Sequence, residues 1–450
     1  MDRIIPKLEA NRPPVDFLPS ETLSVILDLA TQPCFLCYDD KKKCPLAGLM
    51  GVCRKWHDVA VNTRSLWSHI HIRINPSYAK ESRVPNKACI ASWLARPAGV
   101  PIHLFLGCFT YSDRERYIVE WLSGLVRARV TSIKSLIIDS GKGAGSIAAL
   151  LFPRPNEGLL GSLSTLILND TEVPQQSSDS WSIESLTGLS VLELGYLNHP
   201  VPFGFDQLSQ AISKCPTLHT LRLKDMLVPR GTSIHAPLHL PQLRLLDVYG
   251  LEVESQQQLF SMITPGSCEL DLRLDFDNRP PLELERFITS FLRKSKVVSI
   301  TIRVDSLRHS SWFKLCLLAA PGLPSLVLDM EDYMGWELPQ ELIALYDCDI
   351  PKSLPCFQSL CLAEGDIHAI HRNELEQRIS GPKLRTIAFI CCSFPPADGD
   401  QHNSEYTDLP EEMQTLLNNR AEKVIVIKGS PPKWYEQFMD LQIQGLMRLD

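Results

Sequence analysis

The sequence has no apolar run approaching the ~20 residues that a membrane-spanning helix needs. Its opening stretch, Met1 to Ala10, carries early acids and lacks the apolar core of a secretory signal. Cysteine is sparse, 14 in 450 residues, far below the density of a disulfide-stapled scaffold. Several cysteines (Cys53, Cys215, Cys316, Cys361) sit inside apolar patterns. The expectation is reduced, partly buried thiols in a cytoplasmic or nuclear protein with no membrane partner. There is no basic excess either: Lys plus Arg is 45 against 52 Asp plus Glu, a net charge of -7. Nothing global draws such a chain to a phosphate backbone, so no nucleic-acid partner is expected. Glycine (23) is outnumbered by proline (33), which suggests many interrupted short elements. Apolar residues at 44% and charged residues at 22% exclude disorder of the whole chain.

Motifs of catalysis are missing as well. There is no GxSxG, no kinase signature set, no HExxH, no GxxxxGK[ST] and no paired-carboxylate motif. Gly141-Lys-Gly-Ala-Gly145-Ser146 has the spacing GxGxG rather than GxGxxG and reads as a flexible turn. His368, His371 and Glu374 share one helical face but have no second cluster, and read as solvated. Cys34, Cys37 and Cys44 copy the first half of a binuclear zinc-cluster motif. With Cys53 or His57 they could in principle hold one zinc. The missing second Cys-x-x-Cys favours a loop with incidental cysteines. The chain is therefore expected to be no enzyme, to hold no metal and to need no cofactor.

What is present is a repeat. An apolar residue, two variable positions and then two apolar residues separated by one recur from about residue 132. The units include Ile133-Lys-Ser-Leu136-Ile-Ile138, Leu163-Ser-Thr-Leu166-Ile-Leu168, Leu189-Ser-Val-Leu192-Glu-Leu194 and Leu218-His-Thr-Leu221-Arg-Leu223. Leu243–Val248, Val297–Ile302, Leu323–Leu328, Phe357–Leu362 and Leu384–Phe389 continue the series. A unit at Cys268–Phe276 fits two registers, and a weak one lies near Val424–Val426. Most spacings are roughly 25–30 residues, within or just beyond the ~20–29 of leucine-rich repeats. Residues two apart point to one face of a strand, and a lone strand cannot bury that face, so neighbours must stack. Helical stripes return between the strands: Phe205, Leu208 and Ile212, then Leu284, Phe287, Ile288 and Phe291. The asparagine that ladders the turns of many such repeats is replaced by Leu197, Met226 and Leu251.

Ahead of the repeat, the spacing predicts a helix over 16–30, with Pro19 in its first turn and Leu23, Ile26, Leu27 and Ala30 on one stripe. A polar loop follows over 31–44. A second helix is expected over 45–60, with Leu46, Leu49, Cys53, Trp56 and Ala60 on one stripe, and the alternating run His69-Ile-His-Ile72 comes after it.

Phe17-Leu-Pro-Ser-Glu-Thr-Leu23, then Leu49-Met-Gly-Val-Cys-Arg-Lys-Trp56, then Ser65-Leu-Trp67 resembles the F-box, over about residues 16–72. Trp93–Pro97 and Pro101–Leu104 also look like F-box-like proteins of large fungal families. The loop 31–45 is longer than in most F-boxes. The resemblance implies a substrate receptor of an SCF-type ubiquitin ligase, docking on a Skp-family adaptor and, through it, on cullin and RING subunits. The repeats would hold an unknown protein substrate, and the ubiquitin chemistry would lie on other subunits.

The expected fold is α/β: a short all-α F-box helical domain followed by a leucine-rich-repeat solenoid, or horseshoe. The expected divisions are a lead-in at 1–14, the F-box-like domain at 15–72, a connecting cap at 73–131, repeats at 132–430 and a capping helix at 431–450, near Trp434-Tyr435. Leu18, Pro19, Leu23, Ile26, Leu27, Leu49, Val52 and Trp56 are expected to face the adaptor or each other. Residues flanking the repeat leucines should point away from the core, because side chains alternate along a strand. Arg222, Lys224, Tyr249 and Arg303 are the candidate substrate contacts among them, expected to be exposed and dispensable for stability. The alternative reading is a repeat scaffold attached to no ligase.

Overall fold

Leucine pairs two residues apart can be buried together only if their strand lies beside another of the same kind, and the fold is that arrangement carried along the chain. The computed structural model describes residues 18–31, 45–74, 87–108, 121, 122, 124–139, 163–169, 186–197, 204–226, 228, 237–275, 282–303, 319, 320, 323–329, 358–363, 384–390, 392 and 411–427. Fifteen strands are seen among them. They are β1 (His69–Ile74), β2 (Ile102–Cys108), β3 (Ile133–Asp139), β4 (Thr165–Asn169), β5 (Val191–Gly195), β6 (Thr220–Lys224), β7 (Leu238–Leu240) and β8 (Leu245–Tyr249). Next come β9 (Ile263–Pro265), β10 (Glu269–Leu274), β11 (Lys296–Arg303), β12 (Ser325–Asp329), β13 (Ser359–Ala363), β14 (Leu384–Ile390) and β15 (Ala421–Ile427).

Thirteen of these form one parallel sheet in chain order, and β7 and β9 form a separate parallel pair. The leucine ladder is continuous across it. Leu104 lies opposite Leu136, and the line runs on through Leu166, Leu192, Leu221, Leu246 and Leu272 to Ile300. Leu326, Leu360, Ile387 and Val424 complete it. Helices cover this face: α4 (Lys87–Ala95), α5 (Phe205–Ser213), α6 (Val253–Met262), α7 (Leu282–Lys294) and α8 (Glu411–Arg420), numbered after the three N-terminal helices given below. Phe205, Leu208 and Ile212 of α5 are buried in the same core as the ladder. On α7, Leu284, Ile288 and Phe291 are buried, but Phe287 is 38% exposed, so it does not belong to the expected stripe. Leu292, one position after Phe291, takes the inward place instead.

The sheet starts earlier than the repeat pattern suggests. Ile70 and Ile72 of β1 lie opposite Leu104 and Leu106 of β2, so two strands precede residue 132. Trp67-Ser-His-Ile70-His-Ile72 carries the repeat template, with tryptophan in the place of the usual leucine. The ambiguous unit at 268–276 resolves as β10, with Leu272 opposite Leu246.

At the N-terminus are α1 (Ser20–Thr31), α2 (Pro45–Met50), α3 (Arg54–Asn62) and a 3-10 turn at Arg64–Trp67. The expected helix over 45–60 is thus two helices. Gly48 and Gly51, weak helix formers, flank the end of the first, and the chain turns there through Gly51 N–H to Gly48 O and Val52 N–H to Leu49 O. The lead-in 1–14, the loop cysteines Cys34, Cys37 and Cys44, the Gly141–Ser146 run, His368, His371, Glu374 and the segment 431–450 lie outside the described residues.

Three adjacent strands end alike. The residues just after β5, β6 and β8 are Tyr196, Asp225 and Gly250, with φ of 52, 42 and 56°. The next residue in each case (Leu197, Met226, Leu251) is buried, which explains why an asparagine is absent there. Only Gly250 has no room for a side chain, because a Cβ would strike the Asp225 carboxylate. Gly250→Ala therefore combines a left-handed backbone penalty of about 1–2 kcal/mol with a steric clash. Its urea midpoint should fall well below that of wild type; an unchanged midpoint would refute this reading of the turn.

Candidate functional site

Two regions gather the residues singled out by the sequence. The first is the helical unit. Leu23 and Leu27 of α1 are fully buried and pack with Leu46, Ala60 and Leu66, while Leu49, Met50, Trp56, Val59 and Trp67 pack partly buried around them. Leu23 and Leu27 therefore meet the neighbouring helices and present nothing outward. Leu18, Ile26, Leu49 and Trp56 are half-buried, and Pro19 is exposed. Val52 is 55% exposed in the turn between α2 and α3. The Lys55 ammonium donates to Leu18 O at 2.6 Å, which holds the start of α3 beside Leu18 and Pro19. Val25 and Leu29 also stand out, 58% and 68% exposed on the opposite side of α1 from Leu23 and Leu27. Sequence reading missed them because they fall off the buried stripe; being apolar off that stripe was the available signal.

The unit is joined to the sheet without a linker. The Trp67 indole N–H donates to Ala60 O at 2.9 Å, and the Arg96 guanidinium sits 3.9 Å from the centre of the Trp67 ring. Arg64 donates to Ala98 O at 3.1 Å, and His103 N–H to Ser68 O at 2.7 Å.

The second region is the sheet face away from the helices. Its central row starts at His71, beside Phe105, and Phe105, Ile137 and Ile167 then form their own buried apolar cluster. It then turns ionic: Ile167 is followed in register by Glu193, Arg222, Asp247 and Arg273. Arg222 and Lys224, expected on a solvated surface, are 3% and 4% exposed. Arg222 Nη1 lies 3.1 Å from Glu193 Oε2, and its Nε lies 3.9 Å from Asp247 Oδ2. Lys224 Nζ bridges Glu193 and Asp247 at 3.7 Å each. Asn169 donates to Glu193 Oε1 at 3.3 Å. The correction has a plain cause: acids one strand away on either side let the two cations lie down across the sheet. Burial drives the Glu193 carboxyl up, but Lys224, Arg222 and Asn169 together outweigh it and hold it below the usual carboxylate range. Burial pulls the Lys224 ammonium down against the opposing attraction of Glu193 and Asp247.

Of the remaining candidates, Tyr249 is half-buried at the end of β8. Its ring centre is 6.3 Å from that of Tyr196, which is 42% exposed. Arg303 ends β11 opposite Asp329, and its side chain lies outside the described residues. Among the described residues, no group of three His, Cys, Asp or Glu side chains is placed to hold a metal. Cys53 is half-buried at the N-cap of α3. No helix among the described residues is long and apolar enough to cross a membrane.

With this geometry in view, comparison with known proteins is informative at one end of the chain. Residues 15–73 match the family model described as F-box-like. An F-box-like motif is present, spanning α1 to the 3-10 turn and most of β1. Such a domain generally mediates adaptor binding. No curated protein matches the chain.

Removing Arg222 would leave two buried carboxylates with one bridging cation fewer. Arg222→Ala should destabilise the fold by about 3–5 kcal/mol, read from urea unfolding. Loss near zero would place the network in solvent. Because the folded Glu193 carboxyl titrates below its ordinary 4.5, its contribution is full above that value. It is lost as pH falls from there through the folded value, so Glu193→Gln should flatten stability against pH in that window.

Proposed function

We propose that the chain is the substrate-recognition subunit of an SCF-type ubiquitin ligase. In this reading the F-box-like helices dock on a Skp-family adaptor, which connects to cullin and RING subunits. The large sheet is read as a leucine-rich-repeat solenoid that receives a protein substrate, and no catalytic residue is assigned. The observation that carries the reading is that Leu18, Pro19 and Val52 are left half-buried or exposed outside the core of Leu23, Leu27, Leu46, Ala60 and Leu66, inside the segment that matches the F-box-like model. Apolar groups left out beside a filled core fit a partner surface better than a second core. The repeat reading draws on the one-strand-per-unit spacing and the unbroken in-register ladder.

The test pairs a surface variant with a core variant. Pro19→Ala with Val52→Asp should cut co-elution with a purified Skp-family adaptor at least about tenfold, with the circular dichroism and melting curve unchanged. Leu23→Ala should instead lower the stability of the helical unit by about 2–5 kcal/mol through the cavity it leaves. If wild type itself never co-elutes with the adaptor, the scaffold reading replaces the ligase reading.

A further inference from the structure

The ends of β5, β6 and β8 hold a feature that neither the leucine ladder nor the ion network requires. Tyr196 follows β5 and Asp225 follows β6, and Tyr249 closes β8. Backbone bonds lock them side by side: Tyr196 N–H donates to Lys224 O, and Asp225 N–H to Tyr249 O, both at 2.9 Å. Asp225, half-exposed, stands on the strand between the two tyrosines, with its carboxylate directly over Gly250. The two rings open at 53° with centres 6.3 Å apart. Tyr196 is among the few large apolar-bodied side chains exposed in the described residues, at 42%. It is also held at φ 52°, where a bulky non-glycine residue is an outlier; Asp225, at 42°, is of a type that enters this region more readily. A turn satisfied by glycine at the third strand carries tyrosine and aspartate at the other two.

We propose that Tyr196, Asp225 and Tyr249 form a notch that receives a lysine or arginine side chain of a protein partner. Two tilted rings place one cation within the ~6 Å over which an aromatic face attracts positive charge. The intervening carboxylate supplies the counter-charge, and an anion would be repelled by the rings and the acid alike. The chain as a whole carries -7. Lys224, in register between Gly195 and Tyr249, is buried and bridges Glu193 and Asp247. The notch also lies outside the carboxyl ends of parallel strands, where α/β sheets commonly bind ligands. The inference deepens the substrate-receptor reading by giving the substrate a basic recognition segment, and it rests on that reading only for the biological role of the partner.

The probes are acetyl-(Gly-Lys)4-amide, its arginine counterpart and a glutamine control, titrated into the full chain by calorimetry at 50 and 150 mM salt. One or both cationic peptides should bind and the glutamine peptide should not; preference between lysine and arginine names the better-fitting head group. Tyr196→Gly should weaken binding at least tenfold without lowering the melting temperature, because glycine takes this backbone angle freely. Asp225→Asn, which also tolerates the left-handed turn, should do the same, and Tyr196→Phe should bind as wild type. Adaptor co-elution should be the same in all three variants, so failure here is separable from failure of the ligase reading. Absence of binding by wild type would overturn the notch. So would equal binding by Tyr196→Gly and wild type, which would mean diffuse attraction to an acidic surface.

Discussion

In the large sheet each strand hydrogen-bonds only to its neighbours in the strand order, so every buried leucine depends on the register of the strand beside it. Leu221 is covered by Leu192 on one side and Leu246 on the other, with Phe205, Leu208 and Ile212 above. Each such side chain contributes about 1.5–3 kcal/mol on burial. None of that is available to an isolated unit, because a lone strand and helix leave the same leucines in water. The helices follow from this. They supply the second layer over the ladder, which is why each carries a single apolar stripe.

The ladder has a weakness that its own chemistry cannot remedy. Leucines recur every two residues, so a strand slipped by two positions still sets leucine against leucine. Leu223 could lie where Leu221 belongs. The opposite face distinguishes the two states. In the native register Arg222 stands between Glu193 and Asp247 with Lys224 bridging the same pair; slipped by two, Arg222 would lie opposite Val191, leaving Lys224 alone in its place, or opposite Gly195, with Thr220 in its place. Burying charge is costly, and well-packed apolar residues are often as stabilising as an ion pair in the same place. The ionic rungs are therefore best understood as fixing alignment at β5, β6 and β8, the stretch in which three strands end in the same left-handed turn.

This also explains what could be read from the sequence. The positions of β3 to β6, β8 and β11 to β14 were legible because a period-two pair with an apolar residue three places ahead is a local pattern. β1 carries it only with Trp67 in the leucine place, and β2 lacks it because Pro101 stands three ahead of Leu104, so pairing with β3 identifies that strand. The inward and outward sides of each strand were legible too. Exposure was not. Alternation says that Arg222 points away from the leucines, but whether that side is wet depends on acids brought over from strands about 25–30 residues away in sequence. In the helical unit the sequence left open which apolar residues face each other: one stripe on α1 is divided between a buried pair, Leu23 and Leu27, and a half-buried Ile26, which periodicity alone cannot separate.

The join between the two regions bears on how they would work together. Trp67 is the last residue of the 3-10 turn, and β1 begins at His69, so a single residue separates the helical unit from the first strand of the sheet. That junction is clamped from a distant part of the chain by Arg96 on the Trp67 ring and by Arg64 on Ala98 O. A guanidinium over an indole face contributes about 0.5–1 kcal/mol when exposed and more when shielded. Its geometric effect is larger than its energy, because it removes the rotation that a one-residue connection would otherwise permit. A body docked at Pro19 and Val52 would then be held in a set relation to the strand ends at Tyr196 and Tyr249. A receptor that must hold one protein while presenting it to another needs that constancy more than it needs affinity at either site, since effective concentration falls as the connection between two sites loosens.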